Sequence, residues 1–188
     1  MSKIVGIVAG VVVVLVVAGF VIQRTFAADN APMPEVGQAA PTFTLPNQEG
    51  QSISLDSYKG KWVVLYFYPK DMTTGCTIEA HKFQADLDKY KAMDAVILGV
   101  SVDTVDSHKQ FCTKDSLTFN LLADPDKKVV TQYGSLGNFG PMVIAMRNTF
   151  LIDPSGKVVR VWTKVDPNVH SADVLAALAS MRGKDTTM

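Results

Sequence analysis

The chain reads as a three-layer α/β domain with a mixed central sheet, preceded by an N-terminal transmembrane or signal helix. Three observations carry this. Two apolar, β-branched runs, "WVVLYFYP" (Trp62 to Pro69) and "AVILGVSVD" from Ala95, have the composition of strands buried on both faces. Helical patterns follow each of them, the alternation that builds an α/β sheet. Ahead of everything, Ile4 to Ile22 is a charge-free run that is almost wholly aliphatic, Ala or Gly.

In chain order, that first run comes to roughly 28 Å as a helix, close to the hydrocarbon core of a bilayer. Its length favours an anchor over a cleaved signal, although Thr25 and Ala27 in "TFAAD" offer a small-x-small cleavage pattern. Either way the remainder is expected outside the cytoplasm, in the periplasm or cell envelope, held to the inner membrane by residues 4–22 if the run is not cut. Residues 1–27 are thus an anchor or signal, 28–36 a Pro-rich linker, and 37–188 the folded domain.

Within the domain, "FTLPNQEGQSISL" reads as a hairpin turning at Asn47–Gly50. The first central strand leads through a loop into a helical pattern from about Cys76 to Lys91, with Ile78, Phe83, Leu87 and Tyr90 facing inward. "TVDSHKQFCTKD" is helical, and "PDKKVVTQYG" is a short helix closed by Gly134. "TFLIDPSGKVVRVWT" is a hairpin turning at Asp153–Gly156. "SADVLAALASMRG" is an amphipathic helix with Ser171 as N-cap and Gly183 past its end.

Composition excludes several classes of function. Lys plus Arg and Asp plus Glu both number 18, for a net charge of +0 and a pI near 6.8. No basic field invites nucleic acid. Two cysteines cannot staple a scaffold: they allow one bridge, a reactive pair or two inert thiols. No histidine stands at zinc-like spacing from either, and there is no phosphate- or dinucleotide-binding glycine motif, so neither metal nor cofactor is expected.

Cys76 is the residue that invites chemistry. It falls in the predicted first turn of a helix, where unpaired N–H groups and the positive dipole end favour an anion. A free thiol is only about 3% thiolate at pH 7, and such a position raises that fraction.

Pro69, Thr73 and Cys76 form P-x-x-x-T-x-x-C directly after a buried strand. This resembles the active-site motif of peroxiredoxins. "AAPTFTLPNQEGQSISLDSYKGKWVVLYFYPKD", "GVSVDTVDSHKQF", "FNLLADPDKKV" and "RNTFLIDPSGKV" resemble, in order, the peroxiredoxin Q (bacterioferritin comigratory protein) branch over about Val36 to Met181. The resemblance implies a thioredoxin-like fold and reduction of hydrogen peroxide and organic hydroperoxides, with a thioredoxin-like or other dithiol as reductant and a monomeric chain. It implies Cys76 as the attacking cysteine, with Thr73 and Arg147 as its hydrogen-bonding partners. Glu79 either orients Arg147 or only complements the helix dipole.

Two departures stand out. Thr74 occupies the position where the family commonly has proline. His81 stands where many members place a second cysteine, and it reads as a helix-surface residue; His108 and His170 read as polar faces or helix starts. The resemblance implies Cys112 as the resolving partner, because one subgroup of the Q branch carries its second cysteine in that helix. Two other readings remain: a membrane-tethered thiol-disulfide oxidoreductase, which would want C-x-x-C where Thr73 stands, and a non-enzymatic module with Cys76–Cys112 as a structural bridge.

Overall fold

The computed structural model describes residues 31–185. The expected N-terminal membrane or signal segment, including the Ile4–Ile22 run, lies outside the described residues. Among the described residues, no helix is long and apolar enough to cross a membrane.

Among the described residues, nine strands and five helices follow one another as β1 (Thr44–Pro46), β2 (Ser52–Ser54), β3 (Trp62–Phe67), α1 (Thr74–Ala85), α2 (Leu87–Ala92), β4 (Ala95–Ser101), α3 (Val105–Asp115), β5 (Asn120–Ala123), α4 (Lys128–Gln132), β6 (Leu136–Phe139), β7 (Met142–Ala145), β8 (Thr149–Ile152), β9 (Val158–Trp162) and α5 (His170–Asp185). A 3₁₀ turn, Leu55–Tyr58, follows β2. The central sheet runs β5-β4-β3-β8-β9; β3, β4 and β5 are parallel, and β8 and β9 are antiparallel to their neighbours. This is the expected thioredoxin-like α/β fold with a mixed sheet.

Every residue of β3 is buried, and its alternation sorts the core into two layers. Trp62, Val64 and Tyr66 face α1, α2, α3 and α5, where Phe83, Tyr90, Phe111, Val174 and Leu178 pack. Val63, Leu65 and Phe67 face the opposite layer, with Leu45, Val130 and Tyr133. Burying each such aromatic or aliphatic side chain contributes about 1.5–3 kcal/mol. Gly99 on β4 pairs with Tyr66 across the sheet, and a Cβ there would lie 2.8 Å from the tyrosine ring. The glycine makes room for Tyr66 beneath α1.

Several local expectations need adjusting. The single helix read from Cys76 to Lys91 is two, broken at Asp86, whose carboxylate accepts from Lys89 and Ser171. Ile78 is only half-buried. Ser171 does not cap α5 but lies inside it, because the helix starts at His170 and continues through Gly183 to Asp185. Within the Pro-rich stretch, Ala31 N–H donates to Thr131 O (3.2 Å) and Met33 packs against the core. The β6–β7 hairpin was not anticipated.

Candidate active site

The loop after β3 delivers the chain into α1. Met72 takes a left-handed backbone (φ +56°), a conformation unfavourable for a non-glycine residue, and turns the chain from the loop into the helix. Thr73 is the N-cap residue, and Cys76 sits in the first turn, 2% exposed.

Arg147, two residues before β8, brings its guanidinium over this turn. Nη2 donates to Cys76 Sγ at 3.4 Å. Nη1 donates to Glu79 Oε2 in a close ion pair. Glu79, one turn along α1, is fully buried, so it orients the arginine rather than serving an exposed dipole. Burial pushes its carboxyl up to about 7, against the pull of Arg147. Burial alone would lower the Arg147 pKa, but Glu79 and Cys76 together raise it. A Cβ at Gly75 would sit 3.3 Å from Arg147 Nη2 and 3.8 Å from Pro167, so this glycine admits the guanidinium.

Thr73 Oγ1 donates to Lys70 O (3.0 Å). Its hydrogen is engaged in the turn, which leaves the lone pairs to accept from an incoming O–H. Thr73 can therefore accept a hydrogen bond from a hydroperoxide O–H, while Arg147 supplies donation toward sulfur and oxygen.

The structure corrects one of the three histidine readings, that of His108. His81 is indeed exposed, on Asp115 at 3.0 Å. His170 starts α5 but is buried, with Nε2 2.9 Å from Thr149 Oγ1, and burial followed by Arg147's charge depresses its pKa to about 4. It is neutral at physiological pH. His108 is fully buried on α3 rather than on a polar face.

His108 belongs to a cluster that links the active-site loop to α3. Its Nδ1 lies 2.8 Å from Asp71 Oδ2, Ser107 Oγ donates to the same oxygen (2.7 Å), and Tyr68 donates to Oδ1 (2.7 Å). Desolvation of Asp71 is outweighed by these bonds, which hold it below the usual carboxylate range. His108 Nε2 and the Tyr66 hydroxyl are buried with no hydrogen-bond partner. Burial, then Glu79, Cys76, Cys112 and Asp71, push the Tyr66 phenol far up, so it lies in the field of both cysteines.

Cys112 is on α3, one turn after His108 and 8% exposed. Both cysteines are free thiols. Burial, with Asp71 and Glu49, pushes the Cys112 thiol up to about 12. The structure thus joins Cys76 and Arg147 and adds Glu79. It keeps Thr73 hydrogen-bonded within the same turn and places Cys112 in the same core layer as Cys76, unbonded. Among the described residues, no group of three or more His, Cys, Asp or Glu side chains is placed to hold a metal ion.

Comparison with known proteins gives this geometry a lineage. Residues 36–161 match the AhpC/TSA family. The chain belongs to that family. It is 47% identical to a putative peroxiredoxin bcp of Coxiella burnetii over 77% of this chain and 98% of the relative. Against peroxiredoxin Bcp of Bacillus subtilis the identity is 42%, over 80% and 98%. Solved structures of a Xylella fastidiosa PrxQ mutant (TM-score 0.77, 30% identity, 81% and 99% covered) and of Xanthomonas campestris bacterioferritin comigratory protein (TM-score 0.71, 36%, 74% and 91%) share the fold. The latter is described for its alkyl peroxide reduction. Family membership makes the chain a peroxiredoxin of the Q/Bcp branch, a thiol-dependent peroxidase.

Proposed function

We propose that Cys76 attacks the terminal oxygen of hydrogen peroxide or an organic hydroperoxide and that Cys112 resolves the product. The carrying observation is Arg147 Nη2 at 3.4 Å from Cys76 Sγ, in the first turn of α1. The thiolate gives two electrons to the distal oxygen, the O–O bond breaks and Cys76 becomes a sulfenic acid. The departing alkoxide takes a proton and leaves as alcohol or water.

Arg147 stabilises both the thiolate and the charge that develops on oxygen, where one donor contributes about 10² to 10³ in rate. Thr73 Oγ1 accepts a hydrogen bond from the hydroperoxide O–H and so orients the distal oxygen toward sulfur. Glu79 keeps the guanidinium in register. Cys112 then displaces hydroxide from the sulfenic sulfur, which leaves as water with a proton, and forms an intramolecular disulfide that an external dithiol reduces. Free thiols with both helices intact favour this over a permanent structural bridge. Mass spectrometry after one equivalent of peroxide tests it: a Cys76–Cys112 disulfide is expected, and a stable sulfenic acid would remove Cys112 from the cycle.

In the same reading, the charge-free Ile4–Ile22 run anchors the domain at the membrane on its extracytoplasmic side. Carbonate-resistant membrane association of the full chain is the expected result. Soluble protein beginning near Ala28 would mean cleavage, and a soluble full-length cytosolic chain would reject both versions.

A further inference from the structure

We infer that the β6–β7 hairpin is a bilayer-docking surface that brings the Cys76–Arg147 mouth to hydroperoxides carried on membrane acyl chains. The inference rests on the anchoring reading above.

The hairpin's composition is the first observation. No charged residue occurs from Gly134 to Met146. Four of its large side chains point outward: Phe139 is 53% exposed, Met142 55%, Val143 37% and Met146 40%. Phe139 and Met142 are cross-strand partners at the tip, around the Gly140–Pro141 turn. At Gly137 a Cβ would stand 2.8 Å from Met146 Cγ and 2.9 Å from Phe139 Cε2, so those two side chains close into one continuous apolar face. An exposed apolar cluster without charge marks an interaction site.

The hairpin is also firmly rooted. Ala145 is fully buried, Met146 N–H donates to Ser135 O, and Asn148 Nδ2 donates to Ser135 Oγ (3.0 Å). It is therefore held at its base, and Arg147 follows it directly.

The position of the tether selects a bilayer as the occupant. Ala31 N–H bonds Thr131 O at α4, and a Cβ on Gly134 would lie within 2.9 Å of Met33 N and Ala31 O. The chain thus enters the domain at the hairpin's root. From Ile22 to Ala31 the connection spans at most about 30 Å fully extended. An anchor in the apolar run would hold this end of the domain to the membrane. Four side chains along one two-stranded hairpin suit shallow insertion among lipids. They fall short of the roughly 800 Å² per partner that a stable protein interface buries.

The test uses the full chain in vesicles of phosphatidylethanolamine and phosphatidylglycerol. With Phe139→Trp, acyl chains brominated near the headgroup should quench the added fluorescence, relative to wild type, at least twofold. Phe139→Ser/Met142→Ser should lower kcat/KM for a phospholipid hydroperoxide in those vesicles about tenfold and leave hydrogen peroxide turnover unchanged, which also shows that the variant folds. A vesicle-bound chain without quenching overturns the docking surface and leaves the anchor standing. A chain that stays in the supernatant overturns both. Equal loss on the two substrates, or no loss on either, overturns the proposal. Self-association abolished by the double substitution would assign the hairpin to a second copy instead and overturn it as well.

Discussion

Cys76 and Cys112 make an instructive pair. Both are buried, both lie in the same core layer, and both sit on helices packed against one face of the sheet. Their neighbours differ in sign. Cys76 has a guanidinium at 3.4 Å and the amide end of a helix. Cys112 is two turns into α3, and the charged groups that bear on it are the carboxylates of Asp71 and Glu49, which add to burial in pushing its thiol up to about 12. Two buried cysteines thus differ in the sign of the charge nearest each. At a pKa of about 12 the thiolate fraction at pH 7 is about a thousandfold below that of an exposed thiol. Cys112 is thus a poor nucleophile where it lies, and in the proposed cycle its attack on Cys76 needs α3 to loosen near it.

The sharpest way to break the comparison is Cys76→Ser, which should bring peroxide turnover below detection in a dithiothreitol-coupled assay; retention of most activity would reject the assignment. Arg147→Ala should follow, with kcat/KM for peroxide down about 100-fold and an unchanged circular dichroism spectrum. A loss under threefold would take the guanidinium out of the argument.

Cys112→Ser should lower steady-state turnover with a thioredoxin-type reductant about tenfold while the first equivalent of peroxide is still consumed at the wild-type rate. Unchanged turnover would mean that an external thiol resolves Cys76.

Glu79→Gln tests the electrostatics. The folded carboxyl titrates at about 7 and the unfolded one near 4.5. Between these values the folded state holds a proton that the unfolded chain has lost, so this group's contribution to stability falls as pH rises through that window. Urea midpoints at pH 5 and 7.5 should therefore shift less favourably with pH in wild type than in Glu79→Gln. His170, depressed to about 4, acts in the opposite sense but is common to both proteins and cancels in the comparison. Smallest of all, His81→Ala should change turnover less than twofold.

Much of this was legible in the sequence, for physical reasons. Fully buried strands such as β3 and β4 are continuous apolar runs, and a thiol at a helix start is readable from spacing alone. Arg147 was reachable only through the family resemblance, because its 71-residue separation from Cys76 carries no local signal. Asp71 and His108 were missed for the same reason, being 37 residues apart. The break at Asp86 escaped notice because the apolar period continues across it. The β6–β7 hairpin escaped because Gly137, Gly140 and Pro141 interrupt its alternation.

The Asp71 cluster has a temporal consequence. Tyr68 reaches that carboxylate from the end of β3, and Ser107 and His108 reach it from the first turn of α3. In the proposed cycle, freeing Cys112 works against these bonds, each contributing about 0.5–1.5 kcal/mol, or more where charge is involved. Their sum sets how long the sulfenic acid waits for its partner. During that wait a second peroxide can carry Cys76 to the sulfinic state, which ordinary thiols do not reverse. Side chains that never touch peroxide would thus govern how many turnovers the protein survives at high oxidant load.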